Sequence, residues 1–204
     1  MIIQKQDILN METRYRANFI NSLGGFKSVV LVGTRSKSGL ENLSIFSSLF
    51  HLGANPALCG VIVRPDVSER HTLENIEETG CYTLNQILPE FVEAAHHCSA
   101  RYPREVSEFE ASGLTPEYLF DFQAPFVKES HLKFSVELRE KHPLAINGTI
   151  LLIGEIMQVV IPENCLQESG FIDLEQARTV TCSGLDSYHT TQKLVQLPYA
   201  KPKF

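Results

Sequence analysis

Along much of the chain, polar and apolar positions alternate or gather into short apolar blocks of strand length. Residues 28–34, 42–48, 57–64, 81–87, 132–139, 149–161 and 179–183 are rich in β-branched and aromatic side chains, which suit a pleated, half-buried backbone. Ser38-Gly39, Asn55-Pro56, Asn147-Gly148 and Pro162-Glu163-Asn164 separate these blocks with turn chemistry. A helical period shows in fewer places. Tyr15, Phe19, Ile20 and Leu23 recur on one face before Gly24-Gly25 ends the pattern. Residues 72–79 close at Gly80, and residues 90–98 follow Pro89, which fits a first helical turn. Many strands and few helices predict a mainly β fold, a β-barrel with a few helices. Residues 99–129 have mixed polarity and little periodicity, and read as an excursion that covers a ligand or meets a partner. The tail from Leu197, with Pro198 and Pro202, reads as an extended C-terminal arm. Residues 1–204 read as a single domain without internal repeats.

Composition narrows the function classes. A formal net charge of -6 with no clustered Lys/Arg run speaks against neutralising nucleic-acid phosphates. Gln4, Lys5, Gln6 and Asp7 interrupt the start of the chain, and no segment is apolar for the length of a bilayer, so no membrane partner and a cytoplasmic location are expected. The 5 cysteines, Cys59, Cys81, Cys98, Cys165 and Cys182, are widely spaced with no C-x-x-C pair, and read as reduced thiols. His96-His97-Cys98 is the nearest approach to a metal motif. Adjacent residues on a helix project about 100° apart and do not converge on one ion, so no metal is expected.

Two segments carry a chemical demand. A phosphate is well held where a helix start, a hydroxyl and fixed positive charges converge. Thr72 supplies a hydroxyl and a candidate N-cap, Arg64 and Arg70 supply charge, and Asn75 lies one turn into the helix. The plainer reading makes Thr72 an N-cap only and both arginines solvated surface charges. In the second segment, a strand puts Asn42, Ser44, Phe46 and Ser48 on one face and Leu43, Ile45 and Ser47 on the other. The first face suits a polyhydroxylated chain and a planar heterocycle, with strand-edge backbone groups reaching the heterocycle's polar atoms. An edge strand with a polar outer face is the alternative.

These residues bring the chain to a known pattern. The strand ending at Thr34, Gly39-x-x-Asn42 leading to Phe46-Ser47-Ser48, Asn55-Pro56, Thr72-x-x-Asn75-Ile76-x-x-Thr79-Gly80 and Asn85 occur in order. Phe109-Glu110-x-x-Gly113-Leu114, Glu129-Ser130, Gly154 and Gly184-Leu185-x-x-Tyr188 follow. With them the chain resembles the flavin reductase-like family of FMN-binding split barrels, in particular its flavoredoxin-like branch. The resemblance implies a twisted, mostly antiparallel barrel that forms a homodimer with one FMN per subunit near the interface. It implies that Asn42, Ser44, Phe46, Ser47 and Ser48 line the flavin, that Arg64, Arg70, His71 and Thr72 surround its phosphate, and that Tyr188 covers the site or reaches across the dimer. Thr34 and Asn75 complete the expected cofactor-binding set. No catalytic residue is singled out.

The chain departs from the family pattern at two places. Many members carry Gly-Asp-His before the long strand, with the His near the nicotinamide and flavin; here the sequence is Asn147-Gly148-Thr149. The usual Asp-Thr before the helix is His71-Thr72. Flavin binding survives both changes more easily than rapid NAD(P)H oxidation does. The resemblance therefore implies an FMN-binding oxidoreductase that takes electrons from NAD(P)H or another donor. One alternative is a flavoredoxin-like carrier that retains FMN and serves a protein or small-molecule acceptor. Another is a non-catalytic binder of flavin or of haem, with His71 or His189 as the candidate iron ligand.

Overall fold

The computed structural model describes residues 1–65 and 70–202. In chain order, α1 (Lys5–Asn10) and α2 (Thr13–Leu23) precede β1 (Lys27–Ser28), β2 (Val30–Arg35), β3 (Glu41–Phe46), β4 (Phe50–Ala54) and β5 (Ala57–Val63). Next come α3 (His71–Thr79), β6 (Cys81–Gln86), α4 (Val92–His97), α5 (Glu108–Ser112), β7 (Pro116–Glu117) and β8 (Phe126–Val127). The long hairpin β9 (Lys133–Leu144) and β10 (Thr149–Val160) is followed by β11 (Thr181–Ser183) and β12 (Ser187–His189).

A 7-stranded sheet runs in the order β3-β2-β6-β9-β10-β5-β4, with every neighbouring pair antiparallel. The sheet curls because its end strands are joined by the short connection from β3 to β4. There Ser48 Oγ donates to the carbonyl of Ile62 at 2.9 Å and accepts its N–H at 3.0 Å, doing for β5 what a further strand would do. Inside the curl, Val30, Val32, Val61, Leu84, Val136 and Leu152 pack with Leu73 and Ile76 of α3. A second core lies on the other side of β2, where Val29, Leu31 and Leu43 meet Phe91, Ala95, Phe109, Leu114, Val127 and Cys182. With apolar neighbours on both faces, β2 has no polar row, as its nearly unbroken apolar sequence requires.

The structure corrects several expectations. The amphipathic pattern of Tyr15 to Leu23 does form a helix, yet no residue of α2 is buried, and Tyr15 and Leu23 are 62% and 67% exposed. Residues 99–129 are built into the molecule: Phe109, Leu114, Ala124, Phe126 and Val127 are buried, and α5, β7 and β8 fall within them. Gly33 reports the same packing, since a Cβ there would lie 2.2 Å from the Pro125 carbonyl oxygen and 2.6 Å from Thr83 Oγ1. Strand β4 was hidden because His51-Leu52-Gly53-Ala54 lacks the alternation and branching of a strand. The tail from Leu197 to residue 202 has no regular secondary structure and is exposed.

Candidate functional site at the start of α3

The chemistry-bearing residues meet where α3 crosses the edge strand β3. Alternation along β3 puts Asn42 and Ser44 on the face toward α3, and the helical spacing of Thr72 and Asn75 puts both on the face toward the sheet. Thr72 Oγ1 accepts from Asn42 Nδ2 at 2.8 Å and donates to Ser44 Oγ at 3.0 Å. Asn75 Nδ2 donates to Thr34 Oγ1 at 3.1 Å, and Thr34 faces Asn42 across the β2–β3 register. Thr34, Asn42, Thr72 and Asn75 are all buried and are hydrogen-bonded as the pairs Asn42–Thr72 and Asn75–Thr34. They form a positioning layer that fixes α3 on the strand. Thr72 is therefore not the N-cap that its place in the sequence indicates. The cap position belongs to Arg70, and the Thr72 hydroxyl turns inward because two polar partners on β3 are within reach.

Ser44, Phe46, Ser47, Arg70 and His71 are half-buried and Arg64 is exposed. The first intrahelical bond of α3 runs from the Glu74 N–H to the Arg70 carbonyl, so the N–H groups of His71, Thr72 and Leu73 precede it and have no acceptor within the helix. Arg70 Nη2 donates to the Pro65 carbonyl at 3.3 Å, and its buried Nε meets no acceptor among the described residues. Glu74 Oε1 accepts the Arg70 N–H at 3.3 Å.

Two residues absent from the sequence reading join this corner. Arg104 pairs through Nη1 with the other Glu74 oxygen, and its Nη2 reaches Asn75 Oδ1 at 3.4 Å. Glu108, 5% exposed, accepts the outward N–H of Leu43 at 2.9 Å and so caps the free edge of β3. Burial pushes the Glu108 carboxyl above its ordinary range, while the Leu43 N–H and the nearby charge of His71 act the other way. No local pattern marks Arg104. The neighbouring motif directs attention to Phe109-Glu110, but Glu110 is exposed.

The other expected residues divide between the two faces of β3 and the strands beyond it. Phe46 packs with the interior core and Ile45 with the outer one, as the alternation requires. Ser47 lies on the Ile45 side beside the Cys182 thiol, and Cys182 faces Tyr188 across β11–β12. The Tyr188 hydroxyl and His96 Nδ1 are 2.8 Å apart with the rings edge-on. Ser47 and Tyr188 thus occupy the opposite face of β3 from Asn42 and Ser44, and the Ser48 hydroxyl is committed to closing the barrel. His189 Nε2 is 2.8 Å from Ser183 Oγ, remote in chain and contacts from His71. Two open clefts, of about 540 Å³ beside Arg35, Lys37 and Gln123 and about 440 Å³ beside Lys128, His131 and Pro162, contain none of the expected residues. Cys98 is buried, its thiol pushed up to about 11 by desolvation, with the exposed His96 and His97 turned away from it. Among the described residues no three His, Cys, Asp or Glu side chains gather as a metal site, and no helix is long and apolar enough to cross a membrane.

The donor set of the α3–β3 corner fits a flavin nucleotide. The first-turn N–H groups of Thr72 and Leu73 and the incompletely satisfied Arg70 guanidinium suit a phosphate. Half-buried Ser44 and Phe46 offer a hydroxyl and a ring, and the Ile45 N–H, two residues from Leu43, points outward along the same strand edge.

Known proteins share this fold. Residues 24–178 match the family model described as flavin reductase like domain. A split-barrel protein from Shewanella frigidimarina NCIMB 400, provisionally assigned as a flavin reductase, is 57% identical and superposes with a TM-score of 0.95 over 98% of this chain and 100% of its own. Nitrilotriacetate monooxygenase component B from Bacillus cereus, 24% identical, shares the fold with a TM-score of 0.84 over 97% of this chain and 98% of its own. Flavoredoxin of Desulfovibrio vulgaris (Miyazaki F), 21% identical, does so with a TM-score of 0.75 over 86% of this chain and 92% of its own. With most of its length matched by the family model and the same split barrel in these neighbours, the chain belongs to the flavin reductase-like domain family.

Proposed function

We propose that this protein binds FMN at the α3–β3 corner and works as an oxidoreductase, passing electrons from NAD(P)H or another donor to a small-molecule or protein acceptor. The observation that carries the reading is the junction of the start of α3, where the buried Arg70 Nε meets no acceptor among the described residues, with the Ser44–Phe46 face of β3, held by the Thr72 hydroxyl. Arg70, with Arg64 just after β5, supplies positive charge at the phosphate end, and His71 lies beside them. The buried layer of Thr34, Asn42, Thr72 and Asn75 keeps the helix start and the strand edge at a fixed separation, so the binding groups are preorganised. Ser44 serves the ribityl hydroxyls, Phe46 flanks the ring system, and the Ile45 N–H donates to a ring carbonyl oxygen. When bound, FMN supplies hydride and electron transfer, and the protein contributes orientation and donors for the developing negative charge.

A carrier that keeps its flavin is favoured over a fast NAD(P)H reductase by the geometry of the β9–β10 turn. There Asn147 Oδ1 accepts from the Thr149 N–H at 3.1 Å and from its hydroxyl at 2.7 Å, so the position where relatives carry Asp-His serves as turn chemistry. The strand-edge flavin would lie on an open surface, and a second copy of the chain is the cover this reading requires. The test is the visible spectrum of the purified protein titrated with FMN, followed by anaerobic NADH or NADPH. Flavin bands that persist with both nucleotides and bleach with dithionite support the carrier. Rapid bleaching by either nucleotide supports a reductase, and failure to bind FMN removes the whole reading.

A further inference from the structure

The charge arrangement at the start of α3 already contains an anion. Glu74 offers one carboxylate oxygen to the Arg70 N–H and the other to the Arg104 guanidinium, one backbone donor and one charged donor of the kinds that a phosphate also takes. Arg104 is aimed there by a buried neighbour. Asn75 spends its Nδ2 on Thr34 and directs its Oδ1 at Arg104 Nη2, 3.4 Å away. The segment bearing Arg104 is tied down at its other end by the Glu108–Leu43 bond, which fixes the guanidinium near the corner without locking its outer atoms. The two side chains of the pair remain 33% and 42% exposed, and an ion pair so open to water is readily exchanged.

We propose that Arg104 is a phosphate ligand held in readiness by Glu74, and that exchange of the Glu74 carboxylate for the terminal phosphate makes the site prefer FMN to riboflavin. The inference rests on the flavin reading above and adds to it a residue and a basis for selectivity. Without ligand, Glu74 neutralises Arg104 and takes the Arg70 N–H at the start of α3. With a phosphomonoester, the Glu74 side chain swings into solvent and Arg104 turns to the more highly charged partner. Riboflavin has no group to displace Glu74 and gains nothing from Arg104.

The experiment measures dissociation constants for FMN and riboflavin by flavin fluorescence quenching, for the wild-type protein, Arg104→Gln, Glu74→Gln and the double variant, with thermal melting of each as a control. Arg104→Gln is expected to weaken FMN about tenfold or more, the effect of one charge-assisted hydrogen bond, and to leave riboflavin unchanged. Glu74→Gln is expected to tighten FMN a few-fold, and that gain disappears in the double variant. Equal loss of both flavins in Arg104→Gln, or an unaltered FMN to riboflavin ratio in both single variants, overturns the proposal. Wild-type protein that binds neither flavin removes the underlying reading instead, an outcome visible before any variant is made.

Discussion

Glu108 places a carboxylate in a nearly dry environment to satisfy one backbone group, and its replacement separates the value of the hydrogen bond from the cost of the charge. Glu108→Ala removes the acceptor 2.9 Å from the Leu43 N–H and leaves that donor buried and unmet. The expected cost is about 1–3 kcal/mol. At about 2–4 °C per kcal/mol for a chain of this length, the melting temperature drops by roughly 2–12 °C. Glu108→Gln retains an oxygen acceptor and discards the charge. Burial is the largest influence on this carboxyl and raises its pKa in the folded protein, against the smaller opposing effects of the Leu43 N–H and His71. The folded state thus holds the Glu108 proton more tightly than the unfolded chain does. The stability linked to that proton is fully present below the unfolded pKa, about 4.3 for a glutamate, and is lost as pH rises through the folded value. The Gln variant does not titrate and escapes this loss, so its melting temperature should gain on the wild type as pH rises from about 4 toward neutrality. Circular-dichroism melts of the three proteins across that range provide the assay. A Gln variant that melts as low as the Ala variant at every pH, or a wild-type to Gln difference that does not change with pH, refutes the reasoning.

Arg70→Ala should weaken FMN binding by about 1.5–3 kcal/mol with little change in melting temperature, whereas Thr72→Ala should lower the melting temperature by removing the pivot of the α3–β3 layer; isothermal titration and thermal melts separate the two, and identical profiles would count against dividing ligand from positioning residues. Ser48→Ala leaves both polar groups of Ile62 without their partner and should cost about 1–3 kcal/mol in urea unfolding, a loss absent if the edges of the barrel are held by other means. Gly33→Ala drives a methyl group to within 2.2 Å of the Pro125 carbonyl oxygen and should destabilise by about 1–3 kcal/mol or more, so a variant as stable as the wild type would show that the 99–129 segment can give way.

The longer strands other than β4 were legible because β-branched and aromatic residues gather in them, and the helix carrying Thr72 because it buries its apolar residues at a clear period. Alternation correctly sent Asn42 and Ser44 one way and Leu43 and Ile45 the other, and the spacing of Thr72 and Asn75 put both on the sheet side of α3. What escaped were interactions between segments distant in sequence. Arg104 and Glu108 lie in a stretch with no period to announce a fold, and only tertiary packing brings them to Glu74, Asn75 and Leu43. The direction of the Thr72 hydroxyl escaped for the same reason, since its choice between its own helix and β3 depends on partners thirty or so residues away. The family resemblance grouped Tyr188 and Ser47 with the flavin residues; in space they adjoin each other through Cys182, on the face of β3 opposite Asn42 and Ser44.

Strand β2 is the common wall of the two apolar cores, with Val30 and Val32 in one and Val29 and Leu31 leading into the other. A wall shared in this way leaves no seam along which one half can melt while the other endures. Heating or denaturant should therefore take the barrel and its helical flank apart in one cooperative step, and the amide hydrogens of β2 should be the slowest to exchange, opening only with the whole molecule. The mobility that entry of the proposed flavin requires then falls to the periphery, to half-exposed side chains at the mouth of α3, and the proposed electron transfer would take place beside a frame that stays still.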